Sequence, residues 1–206
     1  MKYRIVTIER EYASGGSAVA ELLSKKLDMP VYGRELLEYL SHQLNLPAQD
    51  LEVYEEAPTS SLLYSLHLVG QVFRGEMPEG SRQDQLKQEE QELIRKIAVN
   101  RRCILVGRAA GFALRARSDV LSVFITAAEE FRLSRAVSEY GIKADDAKAA
   151  LTKFDRRRAG FYHEMTGGSW QEKSGYAMVL DSSKLGIEVC AQAIHAVMTN
   201  QRAEPH

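Results

Sequence analysis

YRIVTIEREYASGGSAVAELLSKKL, residues 3–27, decides the architecture. Residues 3–9 form a β-rich run that breaks at EYASGGS, after which AVAELLSKKL places apolar residues at helical spacing. Strand, glycine-containing loop and helix therefore follow one another, and the order recurs along the chain. PVY at residues 30–32 precedes the amphipathic RELLEYLSHQL, with Leu36, Leu37, Leu40 and Leu44 on one face. CILVG at 103–107 precedes RAAGFALRA, and VLSVFIT at 120–126 precedes AAEEFRLSRAVSEYG. A helical region runs from 143 to about 166, and YAMVLD at 176–181 leads into a closing helix, SSKLGIEVCAQAIHAVM. The runs at 103–107 and 120–126 are short, β-branched and nearly continuous in apolar character, as strands buried on both faces should be. Alternation of this kind predicts an α/β fold with a parallel sheet of about five strands and right-handed crossovers. Residues 47–100 hold no strand. They break at Pro58, Gly70, Gly75, Pro78 and Gly80, with helical stretches at 60–73 and 82–99. They are expected to form a helical lobe over the sheet's carboxyl edge, where ligands bind in such folds.

The 206 residues include 27 basic and 28 acidic side chains, and are 45% hydrophobic and 27% charged, which excludes collagen-like, disordered and disulfide-scaffold classes. A chain of this size buries about 70% of its unfolded surface, enough for a core without staples. Cys103 and Cys190 have no metal-ligand spacing and read as buried free thiols. MKYRIVTIER is charged too early for a leader and no apolar run approaches a membrane span, so the expected location is cytoplasmic, with no membrane partner. The net charge of −1 conceals an asymmetry: residues 35–92 carry 12 acids against three bases, whereas residues 93–117 carry seven bases and no acid. A second basic run sets Lys153, Arg156, Arg157 and Arg158 against Asp155 alone. Such blocks are commonly solvated helix faces, but adjoining arginines also make anion sites.

The loop EREYASGGSA, residues 9–18, sits where a phosphate-binding GxxxxGK[ST] loop belongs, directly after a strand and opening a helix. Gly15 lets backbone amides approach an anion, the helix start offers N–H groups, and Ser17 falls where a hydroxyl would hold Mg²⁺. Arg10 replaces the first glycine and Gly16 replaces the lysine. By itself SGGS is also an ordinary strand-to-helix turn with a serine cap.

The segments IEREYASGGSAVAELLSKKL, PVYGRELLE, CILVGRAAGFAL, LSVFITAAEEFRLSRA, DRRRAGFYHEMTG and VLDSSKLGIE, in that order, resemble the cytidylate kinase-like family. This is a branch of the P-loop nucleoside monophosphate kinases whose loop reads xREYxSGG. The resemblance implies a three-layer P-loop kinase fold: one domain over 1–206, a helical acceptor-side lobe at 47–100 and a short helical lid at 153–172. It implies that Ser14, Gly15, Gly16 and Ser17 hold the nucleotide triphosphate, with Ser17 on Mg²⁺ and Arg10 as a cationic stand-in for the lysine. A guanidinium is permanently charged and forks two phosphate oxygens, so the chemistry is open to it. Arg108 resembles the arginine that holds an acceptor's monophosphate. Arg34 occupies the acceptor-proximal start of the second helix, preceded by Gly33 where similar sequences have an aspartate. Arg156, Arg157 and Arg158 resemble lid arginines; neighbours on a helix point about 100° apart, so one or two of them face inward. Arg132 and Arg135 resemble positions flanking the lid, Arg135 as an acceptor-side candidate. Asp181, Ser182 and Lys184 fall at the nucleotide base pocket.

The expected activity is transfer of the γ-phosphoryl group of ATP, with Mg²⁺, to a nucleoside monophosphate such as CMP or a related small acceptor. That chemistry asks for positioning and charge rather than a covalent nucleophile. No nucleic-acid-reading motif accompanies the arginines. A nucleotide-binding protein with little or no turnover, and an interaction module that uses the acidic lobe, are the alternatives. The stripe SSLLYSLHLVGQVF reads as core or as a partner surface, with a homodimer among the partners open to it.

Overall fold

The computed structural model describes residues 3–33, 79–99 and 101–200, with side chains described from Gln88 onward in the second of these, Glu89 excepted. Five strands make one parallel sheet: β1 (Ile5–Arg10), β2 (Val31–Tyr32), β3 (Cys103–Val106), β4 (Val120–Thr126) and β5 (Met178–Asp181), in the order β2-β3-β1-β4-β5. The helices are α1 (Gly16–Leu27), α2 (Glu79–Val99), α3 (Ala110–Ala113), α4 (Glu129–Ser138), α5 (Ala144–Thr166), α6 (Ser182–Leu185) and α7 (Ile187–Thr199). The fold is thus the expected α/β architecture, with β1 central between β3 and β4.

Strand periodicity divides β1 between two cores. Val6 and Ile8 face α1 and α7, packing with Val19, Leu23, Ile194 and Met198 and with Val123 and Ile125 of β4. Ile5 faces the opposite layer, where Leu93, Ile94 and Ala98 of α2 and Ala110 and Ala113 of α3 cover Cys103 and Leu105. The same alternation, carried to the end of the strand, sends Glu9 and Arg10 to opposite faces at the carboxyl edge. In register Glu9 lies beside Phe124 and Arg10 beside Ile125. Both cysteines are buried free thiols.

Two elements differ from their expected form. The closing helix is interrupted at Gly186, whose backbone (φ 81, ψ 152) is open only to glycine, so α6 and α7 are separate. The helix after β3 is a single turn, and its start is delayed to Ala110 because Arg108 (φ 64) and Ala109 (φ 50) are left-handed. The expected helices at 34–44 and 60–73, most of the acceptor-side lobe, and Arg34 lie outside the described residues. No described helix is long and apolar enough to cross a membrane.

Ile194 is fully buried between α7, α1 and the sheet. Ile194→Ala should lower unfolding free energy by about 3 kcal/mol, read as a fall in the urea midpoint at constant m-value.

Candidate functional site

The carboxyl ends of β1, β3 and β4 converge on one cation, Arg10. A Cβ on Gly16 would stand 2.5 Å from the Arg10 Cβ and 2.8 Å from its Cγ, so the stem of Arg10 fills the space from which a lysine at position 16 would grow. A side chain on Gly107, whose φ is +74, would run into Nη1 of Arg10. Two glycines thus let the arginine cross from β1, over the start of α1, to the end of β3.

The loop beneath is held by its own backbone and by the strand ends. Ala13 (φ 58) and Gly15 (φ 82) turn it, and α1 starts with no side-chain cap on its first amides. An uncapped helix start of this kind is an anion site. The Ser14 hydroxyl donates to the Glu11 carbonyl (2.8 Å), with the Ile125 carbonyl 3.2 Å away, and is fully buried. Ser182 donates to the Ser14 carbonyl at 2.5 Å. Glu11 accepts from Thr126 Oγ1 (2.6 Å) and the Ala127 amide (3.1 Å), tying the loop to the end of β4. Ser17, by contrast, is exposed at the first turn of α1.

A second layer locks α5 onto this loop. Asp155 accepts the Tyr12 amide at 2.7 Å and pairs with Arg132, whose Nε donates to the Tyr12 carbonyl at 2.9 Å. Arg158 donates to the Arg10 carbonyl at 2.9 Å. Burial, with the adjoining Arg10 charge, pushes the Arg158 pKa down to about 9. On the other face, Glu9 is buried and accepts from the Ala109 amide (3.1 Å) and Trp170 Nε1 (3.4 Å). Burial raises its pKa, and the nearby Arg10 charge works against that rise.

Arg108 is held from two sides. Its Nε donates to Oε1 of Glu90 at 2.5 Å, and its guanidinium lies 4.2 Å from the centre of the Phe161 ring. Loop, cations and strand ends thus lie together at the carboxyl edge of a parallel sheet. Residues 5–184 match the profile of the cytidylate kinase-like family. The chain belongs to that family. No curated protein sequence matches it. Among solved structures it is similar to an uncharacterised protein from Eubacterium ventriosum, at 20% identity and a TM-score of 0.70 over 96% of this chain and 99% of that one. Two more distant likenesses are TT1252 from Thermus thermophilus (17% identity, TM-score 0.53, 97% and 100% covered) and shikimate kinase from Bacteroides thetaiotaomicron (12%, 0.52, 95% and 98%). At these identities they show the fold, which is that of the P-loop kinases.

Within this cytidylate kinase-like fold the expected residues separate. Arg10, Gly15, Gly16 and Ser17 come together at the start of α1, and Arg158 joins them from α5. Arg156 is exposed, and Arg157 lies 5.5 Å from the Phe154 ring centre. Arg135, an acceptor-side candidate in the sequence, lies on the loop side: its guanidinium carbon is 3.7 Å from where a Cβ on Gly15 would stand, and Glu139 grips it at 2.5 Å. Asp181 caps α6 through the Ser183 amide (3.0 Å), Ser182 is committed to the loop, and Lys184 extends into solvent 3.6 Å from Asp181. The stretch expected to act as a lid is attached to the loop through Asp155 and Arg158, and to β1 through Trp170. Glu9, Glu90 and Asp155 were not singled out from the sequence. Glu90 had a readable signal, since it shares the helical stripe of Leu93, Ile94, Ile97 and Ala98 as a charge among apolar residues.

Because the Arg10 stem occupies the lysine's space, Gly16→Lys alone should weaken ATP binding at least about tenfold, whereas Arg10→Gly combined with Gly16→Lys should recover most of it. Calorimetric titration of ATP into the three proteins checks this. Tighter binding by Gly16→Lys alone would contradict the packing argument.

Proposed function

We propose that the protein is an ATP-dependent phosphotransferase whose acceptor is a nucleoside monophosphate, CMP among them, or a related small phosphorylated molecule. The observation that carries the reading is the course of Arg10, which brings a permanent cation across the phosphate loop to the end of β3. In this reading the uncapped amides at the start of α1 bind the donor's phosphates, and Arg10 and Arg158 neutralise charge on the transferring group. Preorganised cations of this kind can contribute about 10³-fold or more to phosphoryl transfer. Arg135, beside Gly15, takes a donor-side role. Arg108 holds the acceptor's phosphate, with Arg34 assigned to the same end. Base recognition falls to the backbone around Asp181, Ser182 and Lys184, since the first two side chains are engaged in capping and loop anchoring.

Ser17 is the residue that would hold Mg²⁺, and its exposed hydroxyl suits an ion that takes most of its shell from phosphates and water. The ion would supply charge neutralisation between the donor's terminal phosphates. The lid role is assigned to residues 153–172, which Phe161 and Met165 hold against Ala109 and whose closed position would exclude water. The acidic lobe, a cytoplasmic location and self-association complete the proposal as sequence-based expectations.

Binding without turnover is the second reading. It is favoured by Asp155, which occupies the Tyr12 amide of the loop before any phosphate arrives. An ATP-consumption screen with Mg²⁺ over nucleoside monophosphates and small phosphorylated metabolites separates the two. Acceptor-dependent turnover supports transfer, ATP binding with no turnover across the panel supports the second reading, and no ATP binding defeats both.

The pKa of Arg158 gives a pH signature. Because burial and the Arg10 charge lower the Arg158 pKa, ATP affinity should weaken toward alkaline pH more in wild type than in Arg158→Gln, which should start weaker. Its contribution to folding runs the other way. An unfolded chain holds this proton to a higher pH than the folded one, so above about 9 the unfolded state binds more protons and the contribution to stability rises with pH. ATP titrations at a series of pH values, paired with urea unfolding, test both signs.

A further inference from the structure

We propose that Glu90 is the positioning residue that aims Arg108 at the acceptor's phosphate; this rests on the phosphotransferase reading above and adds the group that sets its acceptor side. Glu90 lies on α2 and is 1% exposed, and its carboxylate meets Arg108 through one oxygen and one nitrogen only, Oε1 to Nε. A carboxylate and a guanidinium left to themselves favour a fork of two parallel bonds. Here the second oxygen, Oε2, is buried with no hydrogen-bond partner among the described residues. Leaving a buried carboxylate oxygen unsatisfied is costly and calls for a reason.

The geometry supplies one. Nε is the only guanidinium nitrogen of Arg108 engaged among the described residues, and one flat face of the group is covered by Phe161 at 4.2 Å. Engagement of Nε and of that face leaves the Nη1/Nη2 edge, the pair of donors that grips a phosphate end-on. Arg108 is also aimed by its backbone, since a left-handed φ of 64 at a non-glycine residue follows directly from the turn at Gly107. Strand β3 presents the arginine, Glu90 fixes its rotation, and Phe161 of α5 fixes its plane. Because Glu90 belongs to the helix leading out of residues 47–100 and Phe161 to the lid-bearing helix, both flanks of the site act on one cation.

The test compares wild type with Glu90→Ala, Glu90→Gln, Phe161→Leu, Arg108→Ala and the double variant Arg108→Ala/Glu90→Ala. Binding of CMP, AMP, GMP and UMP and of ATP is measured by calorimetry, and acceptor KM and kcat with the best acceptor. Glu90→Ala should raise the acceptor's Kd and KM about tenfold while ATP affinity stays within about twofold. Glu90→Gln keeps an oxygen for Nε and should recover most of the loss. Phe161→Leu should show a smaller acceptor defect with the same selectivity, and stands in should Glu90→Ala fail to fold. Loss of Glu90 should add nothing once Arg108 is alanine. Unchanged or tighter acceptor binding in Glu90→Ala, parallel loss of ATP and acceptor, or an undiminished Glu90 effect in the Arg108→Ala background would each overturn the assignment and leave the phosphotransferase reading standing. Wild-type protein that binds neither ATP nor any of the monophosphates would bring down both.

Discussion

One arginine lying across two glycines sets the terms for everything around it. Arg10 leaves the central strand on the α1 face, passes over Gly16 and reaches Gly107. A lysine at position 16 and an arginine at position 10 cannot both occupy that volume, so the exchange of residue types in the loop is a coupled one. The backbone consequences spread from there. Gly107 must be bare; it is left-handed, the next two residues also have positive φ, and α3 begins only at Ala110. Arg108 is thereby brought to the carboxyl edge. A single side-chain path thus joins the loop that opens α1 to the end of β3.

Concentrating arginines carries an electrostatic cost that the surrounding acids offset. Burial depresses the Arg158 pKa, and the nearby Arg10 charge lowers it further. Glu9, adjacent in sequence to Arg10 but on the opposite face, is buried at the same strand end, and its carboxylate is stabilised by Arg10 and Arg158 and by the Ala109 and Trp170 donors. Asp155 does the same for Arg132 while anchoring the loop at Tyr12. Replacing any one of these acids would strand a partly buried cation, which is why they act as a set rather than as separate bridges. An arriving phosphate would find positive charge already in place and backbone already turned, and preorganisation of that kind favours charge-stabilising chemistry.

The basic run of residues 93–117 divides on folding. Arg101 bonds Tyr32 Oη before β3 begins, Arg117 pairs with Asp119 before β4 begins, and Arg95 reaches the Ala113 carbonyl; only Arg108 stands at the carboxyl edge. Bases from one run of the sequence therefore serve two ends of the sheet. A charge count along the chain has no means of separating them, because strand direction rather than sequence proximity decides which edge a residue occupies.

The sequence by itself determined the alternation of strands and helices, the parallel sheet, the loop that opens α1 and the candidacy of Arg10, Ser17, Arg108 and the basic run at 156–158. All of these are local: period, turn chemistry and residue order within a few positions. Only the tertiary structure decided that Arg158 rather than Arg156 reaches the loop, that Arg135 stands beside Gly15, that the Ser182 side chain bonds the loop and that of Asp181 the start of α6, and that Glu9, Glu90, Asp155 and Trp170 surround the loop and Arg108. Each of these depends on contact between residues far apart in the chain, such as Tyr12 with Asp155 or Glu9 with Trp170. The reason is geometric. Hydrogen bonds and ion pairs act over about 3 Å, and which side chains come within that reach is fixed by strand order and helix docking, to which spacing along one sequence is blind.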